Sequence, residues 1–381
     1  MTDLRQFRLL TTHYGLYQFS TAMAGAFAGA YLLRMGFSLA QTLAAFAGLL
    51  AVRFVARSLS VPLVRLVGIK GATILGALVV AAQFFPLARA SEPLWLLIWL
   101  ATFALGESLY WPSYHAMAAM TGGGASRGRE LGWRHAVAAF VYVVGPLIGG
   151  VLLERFGAQV NFALAAVTTL LSAAPLFFMP KIDAGEISTP RLSFREIDRR
   201  GVLAFAADGF MCAGLAFAWP MALFIILGSG YESFGIANAA AGLAGALASL
   251  VVGHVIDRGN RERALIVVSL CLAASFAFRA SASWSPLAAF LAHASGAAVM
   301  AVYTTVLMTM IYDRAKNSGA AFRFHFAAEG GWDAGAALGC LAGAGVALLT
   351  EHVSLVTLPA AAGIVLMYLC VRASARTDHT A

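Results

Sequence analysis

Glu107, Tyr110, Trp111, Tyr114 and His115 fall at positions i, i+3, i+4, i+7 and i+8, the spacing that brings side chains onto one face of an α-helix. A carboxylate heading a ladder of aromatic rings can hold a cationic or amphiphilic solute through charge, cation–π contact and hydroxyl groups. The alternative is an interfacial aromatic belt with Glu107 paired to an arginine such as Arg53, which suits Tyr114 and His115 better than Glu107, Tyr110 and Trp111. Further along, His325, Glu329 and Asp333 recur every four residues, and Gly331, Gly335, Gly339 and Gly343 do the same beside them. The two rows are offset by two residues, about 200° around a helix. Packing of the glycine row against a neighbouring helix therefore turns the acidic row the other way. There Glu329 or Asp333 could exchange protons if desolvation disfavours the charged form. A structural ion pair with Arg323 or Arg134 is the alternative.

The elements that carry these residues follow from composition. Of 381 residues, 60% are hydrophobic and 12% charged, about half the charge of an ordinary soluble domain. Too little charge remains to cover a water-exposed surface, so the chain belongs in a bilayer. At about 20 residues per crossing, it divides into twelve apolar segments: 13–33, 39–61, 71–89, 93–119, 130–153, 158–180, 202–228, 233–256, 264–281, 284–311, 320–349 and 352–372. The runs are long and continuous, which disfavours the ten-residue alternation of a membrane β-barrel. The expected class is an all-α membrane protein.

With the N-terminus placed in the cytoplasm, 18 of the 26 Lys and Arg residues fall in cytoplasmic segments. Only Arg34, Arg89 and Arg155 fall on the other side. The positive-inside rule thus gives a multi-pass protein of a bacterial-type inner (plasma) membrane with both termini cytoplasmic. The net charge of +8 is dispersed between apolar runs, so no nucleic-acid partner is expected. No cleavable signal is expected, because the first apolar segment lacks a small-residue cleavage site. Cys212, Cys271, Cys340 and Cys370 lie in apolar segments without CxxC spacing, which argues against a disulfide framework or a metal site.

The one long polar stretch, 181–200, separates residues 1–180 from 201–381. Each side holds six spans. Within the stretch, SFREIDRR reads as a short amphipathic surface helix or a solvated linker. Offsets of 190 and 191 residues superpose His135 on His325, Gly145 on Gly335, Gly149 on Gly339 and Gly68 on Gly259, as expected of an internal duplication. Charge inside the spans differs between the halves. The first supplies Arg53 and Arg134 with Glu107, the second Asp208, Glu329 and Asp333 with His325. Such residues are costly in lipid and mark function by default. Their placement suits a zwitterionic or anionic solute held by the first half, with protonation changes in the second.

Two segments carry a family resemblance. Gly253-His-Val-Ile-Asp257-Arg258-Gly259-Asn-Arg261 resembles the GxxxDRxGRR loop of the major facilitator superfamily, and Gly145-Pro146-Leu-Ile-Gly149-Gly150 resembles the GPxxGG motif of that family's proton-coupled exporters. The resemblance implies twelve helices in two pseudo-symmetric bundles and alternating access by rocking. It also implies a cytoplasmic latch at Gly253, Asp257, Arg258, Gly259 and Arg261. The expected function is proton-coupled export of a small organic solute by a monomer, with the proton gradient as energy source and no cofactor. The fourth span lacks the exporters' arginine, which leaves proton-coupled uptake of an organic anion or zwitterion as the alternative. A non-transporting membrane sensor or a polytopic membrane enzyme is a reading of another class. Walker and HExxH patterns are absent, so neither ATP-driven transport nor enzymatic chemistry is expected.

Overall fold

Within a hydrocarbon layer every backbone N–H and C=O must be satisfied inside its own segment, so long apolar runs become helices. The computed structural model describes residues 2–121, 127–182, 199–256, 261–317 and 321–378, and all twelve apolar segments are helical in it. The first half contains α1 (Thr2–Met23), a 3-10 turn at Gly25–Phe27, α2 (Ala28–Arg34), α3 (Leu39–Ala82), α4 (Phe84–Leu87), α5 (Pro93–Met120), α6 (Arg127–Arg155), α7 (Gly157–Ser172) and α8 (Ala174–Phe177). The second contains α9 (Arg199–Cys212), a π-helical stretch at Ala213–Ala218, α10 (Trp219–Ile226), α11 (Tyr231–Ile256) and α12 (Arg261–Ser281). It ends with α13 (Pro286–Asn317), α14 (Ala321–Leu349), a 3-10 segment at Val353–Ala360 and α15 (Ala361–Asp378). Residues 183–198, most of the expected linker, lie outside the described residues.

Local sequence sets the helix ends. Ser38 and Gln41 form a reciprocal capping box at the start of α3, satisfying donors that a helix N-terminus otherwise leaves open. Pro93 occupies the first turn of α5, where its missing N–H costs nothing. The loop expected at 62–70 is far shorter than the sequence implies. Helix continues through Pro62 to a single break at Gly68, whose φ of 72° and ψ of 169° lie outside the range that other residues adopt easily. The 44 residues of α3 thus make two traversals. The first span also departs from expectation, because α1 gives way to the 3-10 turn at Gly25. Its counterpart in the second half, α9, gives way to the π stretch after Cys212. The two breaks lie close to one duplication offset apart.

Two seams join the halves. Along α6 and α11, the missing side chains of Gly150 and Gly235 let the backbones touch: a Cβ on Gly235 would lie 2.5 Å from the Pro146 carbonyl oxygen. Along α3 and α14, Phe54 lies against Gly330. On the face away from the chain termini, called the far face below, one apolar cluster spans both halves through Phe27, Phe46, Trp99, Trp219, Phe224 and Phe234. Toward the termini the described core divides into a cluster around Tyr17, Tyr110 and Phe322 and another around Phe205, Tyr303 and Met367.

Candidate functional site

The glycine row of α14 packs on α9. A Cβ on Gly331 would meet the Val202 carbonyl oxygen, one on Gly335 that of Ala206, and one on Gly339 that of Phe210. Such close backbone approach holds α14 in one rotation. Its acidic row consequently faces α3 and α5 of the other half.

A charge network forms there. Arg53 donates from Nε to Asp333 Oδ1 at 2.6 Å and from Nη1 to Glu107 Oε2 at 3.0 Å, and its Nη2 also meets Asp333 Oδ1. Arg57, one turn along α3, donates from Nη2 to Asp333 Oδ2 at 2.5 Å. Asp333 is fully buried and clasped by two guanidinium groups. Glu329 is held more loosely, with Arg57 Nη2 at 4.0 Å and His115 Nε2 at 3.6 Å. Glu107 accepts three further-reaching constraints: Tyr17 donates to Oε1 at 2.6 Å, Trp111 to Oε2 at 2.5 Å, and Arg53 completes the set. Two guanidinium groups thus face three carboxylates, and the pairs to Asp333 and Glu329 cross between the halves. Burial makes every member costly unless paired.

The aromatic ladder on α5 packs against α1. Tyr110 stacks on Tyr17 at 3.9 Å and on Tyr114 at 5.6 Å, and Tyr14 stacks on Tyr114 at 4.9 Å. His13 Nδ1 donates to the Ser172 carbonyl at 2.7 Å, which leaves Nε2 to accept from the Tyr110 hydroxyl at 3.1 Å. Tyr110 is therefore a buried packing and hydrogen-bonding residue, while Trp111 sits against Glu107. His325 stacks on His115 at 5.3 Å.

Beyond the network, toward the far face, lies a cavity of about 210 Å³ walled by Phe46, Trp99, Phe103, Phe217, Met221 and Phe234, with Gln83 as a polar group. Phe46, Leu50 and Arg53 share one face of α3, and Trp99, Phe103 and Glu107 share one face of α5. Cavity and network thus lie along the same faces of α3 and α5, about 10 Å apart at 1.5 Å per residue. Both helix breaks line it: Gly25 and Ala26 from the first half, Ala216 and Phe217 from the second. Phe46 and Phe217 meet across the halves at 4.9 Å.

Other residues singled out in the sequence fall elsewhere. Asp208 is separate from the network, accepting from Tyr303 at 2.8 Å and Trp332 Nε1 at 3.1 Å. Trp332 links the two, since Arg53 lies over its ring at 5.1 Å. Glu107 pairs with Arg53, and among the described side chains Arg53 and Arg57 are the arginines that meet the α14 acids. Arg134 is on α6 and Arg261 at the start of α12, each with its side chain outside the described residues, and Gly253 is near the end of α11. Asp257, Arg258 and Gly259 lie outside the described residues altogether. In the fifth-span motif, Gly145 packs on Ala22, Gly149 on the Met23 carbonyl and Gly150 on Tyr231, so the motif seats α1 and α11 on either side of α6. Sequence reasoning missed His13 and Tyr17, whose i, i+4 spacing in an apolar run was the available signal. Arg57 is 2% exposed and pairs across the halves with Asp333.

Comparison with known proteins agrees with this architecture. The family described as Major Facilitator Superfamily matches residues 10–339. The structure is similar to that of the nucleoside transporter NupG, with TM-score 0.68, 12% identity, and coverage of 98% of this chain and 99% of the other. It is similar to the Escherichia coli fucose:proton symporter FucP, with TM-score 0.66, 14% identity, and coverage of 98% and 99%. A third likeness is to the human organic anion transporter MFSD10, with TM-score 0.70, 14% identity, and coverage of 97% and 99%. No curated protein matches by sequence. At these identities the likeness shows the fold alone. With a family match over most of its length and a twelve-span, two-bundle fold, the chain belongs to the Major Facilitator Superfamily and is a transporter rather than an enzyme.

Proposed function

We propose that this protein is a proton-coupled secondary transporter that exports a small organic solute with an apolar face across a bacterial-type inner membrane, working as a monomer with its termini cytoplasmic. One observation carries the coupling: carboxylates of one half are clasped by buried arginines of the other, with one more carboxylate than guanidinium. The excess acid is the natural seat of a proton. Glu329, faced by Arg57 and Arg53 from α3, His115 and Glu107 from α5, and Asp333 from its own helix, makes only long contacts and is the group assigned to carry it. Loading or releasing that proton changes the attraction between the halves, which is the differential interaction that a rocking equilibrium requires.

The aromatic cavity supports the solute class. Paired helix breaks at corresponding positions of the two halves are where carriers of this architecture bind their solutes, and the walls offer rings with one amide. Export rests on the resemblance of Gly145 to Gly150 to the exporter motif. The second reading, uptake of an organic anion or zwitterion, is favoured by the two arginines beneath the cavity.

Comparative profiling of metabolites inside and outside cells with and without the protein gives direction and chemical class together. Proteoliposomes loaded with a pH-sensitive dye then test coupling with the solute found. Glu329→Gln is expected to abolish flux driven by a pH gradient while solute exchange at equal pH persists. Gradient-driven flux undiminished in the Glu329→Gln protein would sink the proton-coupled reading.

A further inference from the structure

Arg279 lies near the end of α12, within the second half and away from the inter-half network. Its side chain is 3% exposed. Among the described residues it has no carboxylate within ion-pair distance, and its Nε and Nη1 groups have no acceptor. Ser275, one turn earlier on the same helix face, has a buried hydroxyl that is likewise without a partner. The Trp219 ring covers the guanidinium from one side at 5.5 Å. Gly296 of α13 lies against both side chains: a Cβ there would run into Arg279 Nη2 and come within 2.6 Å of Ser275 Oγ. The missing side chain lets the guanidinium and the hydroxyl lie next to each other against α13.

The neighbouring imidazole does not neutralise the charge. His293 Nδ1 accepts from Trp219 Nε1 at 3.1 Å, and Nε2 faces Asn238 Oδ1 at 3.4 Å, so both nitrogens are engaged. An arginine does not escape burial by losing its proton, and a buried ion without a counter-charge is among the least tolerable features a fold can carry. We infer that the second half binds a small inorganic monoanion of halide size, held by the unpartnered Nε and Nη1 of Arg279 and the Ser275 hydroxyl. With Arg279 only 3% exposed, a lipid headgroup is excluded.

The test uses the full-length protein in nanodiscs, with thermal unfolding followed as sodium gluconate is replaced by sodium chloride or bromide at constant ionic strength. A saturable rise in Tm is expected with either halide, lost in Arg279→Gln and weakened in Ser275→Ala. Should Arg279→Gln fail to fold, Ser275→Ala and an anomalous bromide peak between Arg279 and Ser275 in crystals of the parent protein carry the decision. Equal Tm in gluconate and halide with no bromide peak at Arg279 overturns the inference. So does a Tm that follows the anionic lipid content of the disc and ignores halide.

Discussion

Asp333 and Glu329 are one helical turn apart, yet their neutralisation has different consequences. Asp333 compensates two buried guanidinium groups with short hydrogen bonds, so Asp333→Asn leaves Arg53 and Arg57 under-neutralised. Removing one partner of a buried pair costs about 3–5 kcal/mol, and Asp333→Asn should express poorly or unfold well below the parent protein in a thermal assay. Glu329 has no contact shorter than 3.6 Å within the network. Glu329→Gln should keep a near-parental Tm while losing the pH dependence of transport. Equal destabilisation by the two substitutions would show that the long contacts of Glu329 matter as much as the short ones of Asp333. The sequence disclosed that these acids share a helix face, because that depends only on spacing. It did not disclose their partners, since Arg53 and Asp333 are 280 residues apart and no local pattern encodes which arginine the fold brings across.

At the scale of elements, glycine determines how near helices come, and position determines whether a given glycine matters. A Cβ at Gly335 would strike the Ala206 backbone carbonyl, whereas one at Gly345 would meet nothing within 4 Å. Both lie on α14. Gly335→Ala should therefore force α14 from α9, costing about 1–3 kcal/mol as an overpacked seam does. Gly345→Ala should be neutral or stabilising by up to about 1 kcal/mol, because alanine is the better helix former. Thermal unfolding of the two variants in the same detergent checks the contrast. The spans themselves were legible, since twenty apolar residues have few alternatives in a bilayer. So was the glycine row, whose four-residue period matches the helix. The breaks at Gly25 and Ala213 were not, because glycine and alanine are common throughout these helices and only tertiary packing selects where the ladder yields. Those breaks bring Gly25 and Phe217 to the cavity wall, which is why the cavity was the least predictable part of the site.

The whole molecule is fastened at its far face by polar contacts between the halves. Arg34 donates to the Ser229 carbonyl at 2.8 Å, Glu154 accepts from the Tyr231 backbone N–H at 2.7 Å, and Arg155 donates to Glu232 at 2.7 Å. These groups sit largely in the open, where solvent screening leaves an ion pair little to contribute. Their loss should leave overall stability almost unchanged. A rocking equilibrium is more sensitive, because a bias of about 1–2 kcal/mol alters a population ratio roughly 5- to 30-fold. Replacing Arg34 and Arg155 by alanine should accordingly move the protein toward states open at the far face. The measurement is maleimide labelling of a single cysteine placed at Met221, a wall residue of the cavity, with the four native cysteines changed to alanine. Reagent added from the far face should react slowly in the otherwise unchanged protein and severalfold faster in the doubly substituted one, at the same Tm. Unaltered labelling would assign closure of that face to the apolar cluster around Phe27 and Phe234 alone, where the energy of burial, rather than three surface contacts, would then set which way the halves rest.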